Sequence, residues 1–151
     1  MVTIRFEIKP YLAAYMYARY GTPPPIRFSP LEPLYHTLHF FTVPHPANLP
    51  YQRETGNILF VLPDPRDGKN PEKYNYLGYE SIRKIEQKIE LQMKIELYDY
   101  MLENRFKRHI TYKLALEEFV DKYEMTELIS EETLMRGFQR WRKERKQPNS
   151  F

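Results

Sequence analysis

The sequence predicts an α+β protein in which a small two- to three-stranded sheet with short helices precedes a helical half. Residues 2–8 alternate apolar and polar side chains, which is typical of a half-buried strand. Residues 58–62 form a continuous apolar run, which is typical of a strand buried on both faces. Residues 79–108 carry apolar side chains at a helical period. We expect one domain over residues 1–151, with its α+β part at 1–78 and its helical part at 79–151.

Two short helices are expected between these strands. Residues 11–20 are predicted to form a helix that Gly21 ends. Residues 29–32 match a capping box with proline at the first helical position, which predicts a second helix from there to about Phe41. The apolar side chains expected to face the core from this helix are Leu31, Leu34, Tyr35, Leu38 and Phe41. Two proline-containing segments are expected to be loops: 44–55 and 63–78.

The long helix predicted at 79–108 carries two apolar stripes. One stripe runs along its whole length and the other covers only its second half, so we expect other elements to wrap the second half. The first stripe consists of Ile82, Ile85, Ile89, Met93, Leu97 and Met101. The second consists of Leu91, Ile95, Tyr98, Leu102 and Phe106.

Two further helices are predicted at 112–123 and 130–146, the second with Ser130 as its N-cap. The last helix has one apolar face, formed by Leu134, Phe138 and Trp141. The side chains on its opposite face are Arg136, Gln139, Arg140, Lys143 and Lys146. From residue 136 to residue 146 there are six Arg or Lys residues and one acid, so this segment carries +5 while the whole chain carries +3.

Two amphipathic helices, the second with a basic outer face, are typical of a helix-turn-helix unit, whose second helix enters the major groove of DNA. In that groove Arg reads guanine and Gln reads adenine. The link here is longer than usual and lacks the usual glycine. A second basic cluster precedes the pair and is expected to grip phosphate: Arg105, Lys107, Arg108, His109 and Lys113. The competing interpretation is a solvated cationic face, which also suits the negative end of a helix.

Basic and aromatic side chains also interleave in the loop after the second strand, a composition typical of single-strand binding. The favoured interpretation of this loop is a connector whose tyrosines cover the core. The side chains concerned are Arg66, Lys69, Lys73, Tyr74, Tyr76 and Tyr79.

Enzymatic alternatives find little support in the residues. Asp64 and Asp67, with Lys69, echo a metal-nuclease pattern in which carboxylates hold Mg²⁺, but two intervening residues cannot separate the two strands this pattern needs. His36 and His39 lie one helical turn apart, but no third ligand has a diagnostic spacing. We therefore expect a non-enzymatic protein without cofactor or metal.

The composition limits the class of protein and the compartment in which we expect it. Hydrophobic residues at 42% and charged residues at 28% are values of globular proteins. The absence of cysteine excludes disulfides and thiolate metal sites and fits a reducing compartment. Neither a signal peptide nor a membrane span is apparent, so we expect a soluble, cytoplasmic protein without a membrane partner.

Three segments resemble those of uncharacterised small proteins of Bacteroides-type bacteria and their mobile elements: 56–63 (GNILFVLP), 70–77 (NPEKYNYL) and 134–143 (LMRGFQRWRK). The resemblance implies a phage or transposable-element setting, where small DNA-binding accessories are common, and it supplies no catalytic residue. The leading hypothesis is a non-enzymatic accessory or regulator that binds nucleic acid, in the first place DNA. The alternative is an assembly or adaptor protein of a phage or mobile-element complex, acting through a protein partner or as a homo-oligomer.

Overall fold

The computed structural model describes residues 2–21, 23–50, 55–63 and 68–146. It confirms the α+β class, with a long helix and two C-terminal helices after the strands. In chain order the elements are β1 (Thr3–Phe6), α1 (Pro10–Tyr20), α2 (Pro33–Phe41), β2 (Val43–Pro44), β3 (Ile58–Val61), β4 (Tyr74–Tyr76), α3 (Tyr79–Lys107), α4 (Tyr112–Lys122) and α5 (Glu131–Lys146). No helix in the described part of the chain is both long and apolar enough to cross a membrane.

Strands β1 and β3 pair antiparallel, and their pairing runs from Thr3 opposite Val61 to Phe6 opposite Ile58. The alternation of the N-terminal segment is confirmed, since Ile4 and Phe6 are buried. Asn57 extends this ladder past the strand end, because its side chain accepts from the Ile8 amide at 2.8 Å and donates to the Ile8 carbonyl at 2.7 Å.

A second small sheet lies where we expected only loops. β2 and β4 pair antiparallel, so the prediction of uninterrupted loops at 44–55 and 63–78 is wrong at residues 44 and 74–76. Asn75 holds β4 in place, because its side-chain amide donates to the carbonyls of Pro71 and Glu72 at 3.1 and 2.9 Å. β2 and β4 pair across a long stretch of chain, and each is too short to leave a periodic pattern in the sequence.

The start of α2 differs from the expectation. The helix begins at Pro33 with Glu32 as its N-cap, and the Ser29 hydroxyl instead accepts from the Leu31 amide at 3.2 Å within a turn. A helix capped by Ser29 would need the amide of residue 33 for its first hydrogen bond, and proline has none. Leu31 therefore stays outside the helix and is 93% exposed, which corrects its assignment to the core.

Helix α3 is the central helix, and α1, α2 and α4 pack against it. Its first apolar stripe is confirmed, since Ile85, Ile89, Met93, Leu97 and Met101 are fully buried.

The prediction that other elements bury the second apolar stripe of α3 is wrong for most of its residues. Tyr98 is buried and Leu102 is half-buried, but Leu91, Ile95 and Phe106 are 56%, 52% and 78% exposed. Other elements therefore cover the second half of α3 only in part, since α4 and α5 pack on it while the side with Leu91, Ile95 and Phe106 is exposed. Leu91, Ile95 and Phe106 are called the outer stripe below.

Candidate nucleic-acid interface

Helix α5 is fixed to the body of the protein by its apolar face. Phe138 is fully buried, and its ring centre lies 5.5 Å from that of Tyr98 on α3 and 4.9 Å from that of Tyr112 on α4. Trp141 packs on Tyr98 at 4.9 Å between ring centres. Ser130 caps the helix as expected, because its hydroxyl accepts from the Thr133 amide at 3.4 Å.

The opposite face of α5 is exposed, and its side chains have different partners. Arg136 forms an ion pair with Glu132 one turn earlier. The Gln139 amide contacts the Met135 sulfur at 3.7 Å. Arg140 and Lys143 are exposed and have no acidic partner among the described residues. The Lys146 side chain lies outside the described part of the structure.

The cluster that precedes α4 is largely neutralised within the protein. The Arg108 guanidinium donates twice to the Glu118 carboxylate, at 2.8 and 2.9 Å. The hydrogen bonds raise the pKa of Arg108 and lower that of Glu118. Lys107 forms an ion pair with Glu103 at 2.6 Å. These two cations of the predicted site already have anionic partners, so a phosphate would have to compete for them.

Arg105, another member of this cluster, lies close to α5. The Arg105 guanidinium is 5.8 Å from the ring centre of Tyr112, and the Arg142 guanidinium of α5 is 4.7 Å from the same ring. Tyr112 therefore brings the two basic clusters together. Arg142 is a candidate that the sequence reasoning missed, since it follows Trp141 near the apolar side of the helix and reaches the surface along an aromatic ring.

Lys113 lies on the side of α4 that faces α5 across a groove. A groove of about 660 Å³ separates α4 from α5. Its apolar lining comes from Leu116 and Met135, and its charged lining consists of three cations and two acids: Lys113, Arg136, Arg140, Glu131 and Glu132. We use the term cationic face for Lys113, Arg140 and Lys143. Its charges have no acidic partner within the described residues.

The tyrosine-containing loop uses its central lysine for structure. The Lys69 ammonium donates to the carbonyls of His39, Phe40 and Thr42 at 2.6, 3.2 and 3.0 Å, which caps the C-terminal end of α2. All three of its donors are used in this way. Arg66 lies outside the described residues.

The described structure does not bring the candidate metal ligands together. Asp64 and Asp67 lie outside the described residues. His36 lies 2.6 Å from the Pro30 carbonyl through its Nε2, and His45 contacts the Asn75 side chain at 2.9 Å. Within the described ranges, no group of three or more His, Asp or Glu side chains is placed to hold a metal ion.

We compared the chain with protein families, curated proteins and solved structures. No family model, curated protein or solved structure matches this chain.

Proposed function

We propose that this protein binds nucleic acid, in the first place DNA, through the cationic face. The observation that carries the proposal is the exposure of Arg140, Lys143 and Lys113 without acidic partners, on helices that are locked by the buried Phe138. Unpaired cations on a rigid support meet phosphates without first breaking an internal ion pair or ordering a helix.

The exposed side chains of α5 suit two different kinds of contact with nucleic acid. Arg140 and Lys143 are exposed on α5 and suit phosphate oxygens. Gln139 directly precedes Arg140 on the helix and is the side chain that suits a base edge. The role as a non-enzymatic accessory or regulator in a mobile element is part of the proposal and rests on the sequence resemblance.

The proposal is tested by measuring oligonucleotide affinity against salt, for duplex and single strands separately. Each phosphate contact contributes about 0.9 to the slope of log affinity against log salt on duplex DNA. We expect the double variant Arg140→Gln, Lys143→Gln to flatten the slope by about 1.8 units. Fluorescence anisotropy between about 50 and 200 mM salt covers the range in which such binding changes most.

The double variant Arg83→Gln, Lys122→Gln is the matched control, since it removes two exposed charges outside the cationic face and outside the outer stripe. Its salt slope is expected to equal that of the wild type. Failure of the wild type to bind either kind of oligonucleotide at low salt would rule the proposal out, as would equal flattening by the control.

A second candidate function is supported by the outer stripe of α3. Exposed Leu91 and Ile95 lie between a cationic section of the helix surface, with Lys84 and Lys88, and an acidic one, with Asp99. An antiparallel pairing of two copies would oppose these charges and cover the apolar residues. This candidate is an assembly protein built from self-associating chains, and sedimentation velocity over a range of concentrations detects it.

A further inference from the structure

A small cavity lies between α5, α3 and the start of α1, and it shares Arg136 and Arg140 with the groove between α4 and α5. Its volume is about 210 Å³. A drug-sized ligand needs about 300 Å³ or more, whereas one water occupies about 30 Å³, so the space suits a small chemical group. The polar side chains that line it are Tyr11, Glu90, Lys94, Tyr98, Thr133, Arg136 and Arg140, of which Arg136 is paired with Glu132.

The Tyr98 hydroxyl is the unusual group in this cavity. Tyr98 is only 6% exposed, and its ring is fixed between α3 and α5 by Phe138 and Trp141. Its hydroxyl makes no hydrogen bond to a described residue and is accessible at the cavity wall, since no buried side-chain oxygen or nitrogen in the described structure lacks a partner. A phenol donor that opens into a cavity is available to an acceptor group that enters it.

Gly137 leaves the space that this hydroxyl occupies. A Cβ atom at Gly137 would lie 3.0 Å from the Tyr98 oxygen. Glycine inside a helix costs about 1 kcal/mol relative to alanine. The close approach of α5 to the Tyr98 hydroxyl gives a physical reason for a glycine at this position, and it keeps the hydroxyl at the cavity wall.

The charges around the cavity are unbalanced toward the positive. The Glu90 carboxylate accepts from the Tyr11 hydroxyl at 2.8 Å and is paired with Lys9 at 3.4 Å and Lys94 at 3.7 Å. Its single negative charge is thus shared by two cations. Arg140 adds a further positive charge that has no acidic partner within the described residues.

Arg140 is close enough to Tyr98 for its positive charge to affect the pKa of the Tyr98 hydroxyl. Burial raises the pKa of Tyr98, Arg140 lowers it, and Glu90 raises it again, with a net upward shift. The phenol therefore keeps its proton at neutral pH and can donate. The cavity presents a hydroxyl donor and a guanidinium that both lack an acceptor.

We propose that this cavity binds a phosphate group, with the Tyr98 hydroxyl and the Arg140 guanidinium as its donors. A phosphate offers several acceptor oxygens to donors that converge from different helices, and Arg recognises it through paired N–H groups. The source is either a backbone phosphate, in which case the site deepens the proposed nucleic-acid function, or free phosphate.

The first experiment measures inorganic phosphate binding to the full chain by isothermal titration calorimetry, at constant ionic strength set with chloride. Tyr98→Phe removes one oxygen and no protein hydrogen bond, so we expect it to fold normally and to weaken phosphate binding about 10-fold. Arg140→Gln changes an exposed residue and is expected to weaken binding at least as much. It carries the test if Tyr98→Phe proves unstable by circular dichroism.

Arg145→Gln is the control, because it removes an equal charge from α5 at a site where the guanidinium stacks on Trp141 at 4.6 Å, outside the cavity lining. Phosphate binding by this variant should stay within twofold of the wild type. Absence of phosphate binding by the wild type, or equal weakening by Arg145→Gln, overturns the proposal.

The second experiment separates the two sources with an oligonucleotide. If the backbone supplies the phosphate, Tyr98→Phe lowers oligonucleotide affinity about 10-fold while the salt slope stays the same, since no charge is removed. If oligonucleotide affinity is unchanged but phosphate binding is lost, free phosphate is the ligand and the site stands. Phosphate binding that depends on Tyr98, in a chain that binds no oligonucleotide, supports the site and refutes only the proposed function.

Discussion

Glu90 is the residue that ties the start of α1 to the middle of α3. It accepts a hydrogen bond from the Tyr11 hydroxyl and pairs with Lys9 and Lys94. Partial burial alone would raise its pKa, but the hydrogen bond and the two ammonium groups outweigh burial, and the pKa of Glu90 is lowered overall. A carboxylate with a lowered pKa contributes stability that is present while it is ionised.

Replacing this carboxylate is therefore expected to change how stability depends on pH. The contribution of Glu90 is complete above its unfolded pKa of about 4.5 and is lost as the pH falls through the lower folded value. We predict that Glu90→Gln lowers the free energy of unfolding by about 1 kcal/mol at neutral pH, with a smaller difference in acid. Urea unfolding at pH 7 and at a series of values below 4.5 measures both.

Glu117→Gln serves as the control for Glu90→Gln, since Glu117 has no ion pair or hydrogen bond within the described residues. Its difference from the wild type should stay near zero across the same pH range. The interpretation of Glu90 fails if the two variants lose stability equally, or if the deficit of Glu90→Gln grows as the pH falls.

At the scale of single residues, the sequence predicts which side chains are cationic but not which are free. Arg108 and Arg140 lie in similarly basic stretches of sequence. Arg108 is paired because Glu118, on the next helix, comes within 2.9 Å of it, whereas Arg140 has no such neighbour in the described structure. A partner on another helix leaves no local signal, so the difference emerges only when α3 and α4 are packed.

Helices were predictable wherever their stability depends on local periodicity. α3 is observed at Tyr79–Lys107 and was expected at 79–108, because an apolar stripe over many turns is a strong signal. The short strands β2 and β4 were missed, since their pairing depends on residues far apart in the chain. The exposure of Leu91 and Ile95 was also missed, because an apolar stripe does not tell whether the same chain covers it.

The docking of α5 is predicted to depend on Phe138 more than on any other side chain of that helix. Phe138→Ala removes a fully buried ring from between Tyr98 and Tyr112, and such a change costs about 3–5 kcal/mol. We expect α5 to open before the sheet does, because Phe138 contacts only the helical half through these rings. Hydrogen exchange should show faster amides in α5 and nearly unchanged ones in β3.

Leu128→Ala is a suitable comparison, since Leu128 is 46% exposed in the link between α4 and α5. It is expected to cost less than about 1 kcal/mol and to leave α5 exchange unchanged. If β3 amides in Phe138→Ala accelerate as much as those of α5, the helix is part of a single cooperative unit with the sheet and the idea of local opening is wrong.

Over the whole molecule, charge is strongly segregated. The segment 136–146 carries +5 while the chain carries +3, so the remaining residues sum to −2. An anionic polymer is thus attracted to one end of the protein and weakly repelled by the rest. The cationic face and the outer stripe of α3 use different residues, so nucleic-acid binding and self-association are compatible.

The outer stripe gives the prediction that belongs to this scale. In an antiparallel pair of α3 helices, one register places Lys84 opposite Glu103 and Lys88 opposite Asp99, with Leu91 near Ile95 of the second copy. Glu103 is already paired with Lys107, so the apolar contact and the Lys88–Asp99 pair must supply most of the stability.

We predict that the double variant Leu91→Gln, Ile95→Gln keeps the fold, because both side chains are more than half exposed, and abolishes any dimer seen by sedimentation velocity. Leu114→Gln, at 43% exposure on α4, is the control and should leave the mass unchanged. A dimer presents two cationic faces, so the wild-type salt slope per complex should be about twice that of the double variant. A wild type that stays monomeric at all concentrations, or a dimer that survives the double variant, removes the outer stripe as the interface.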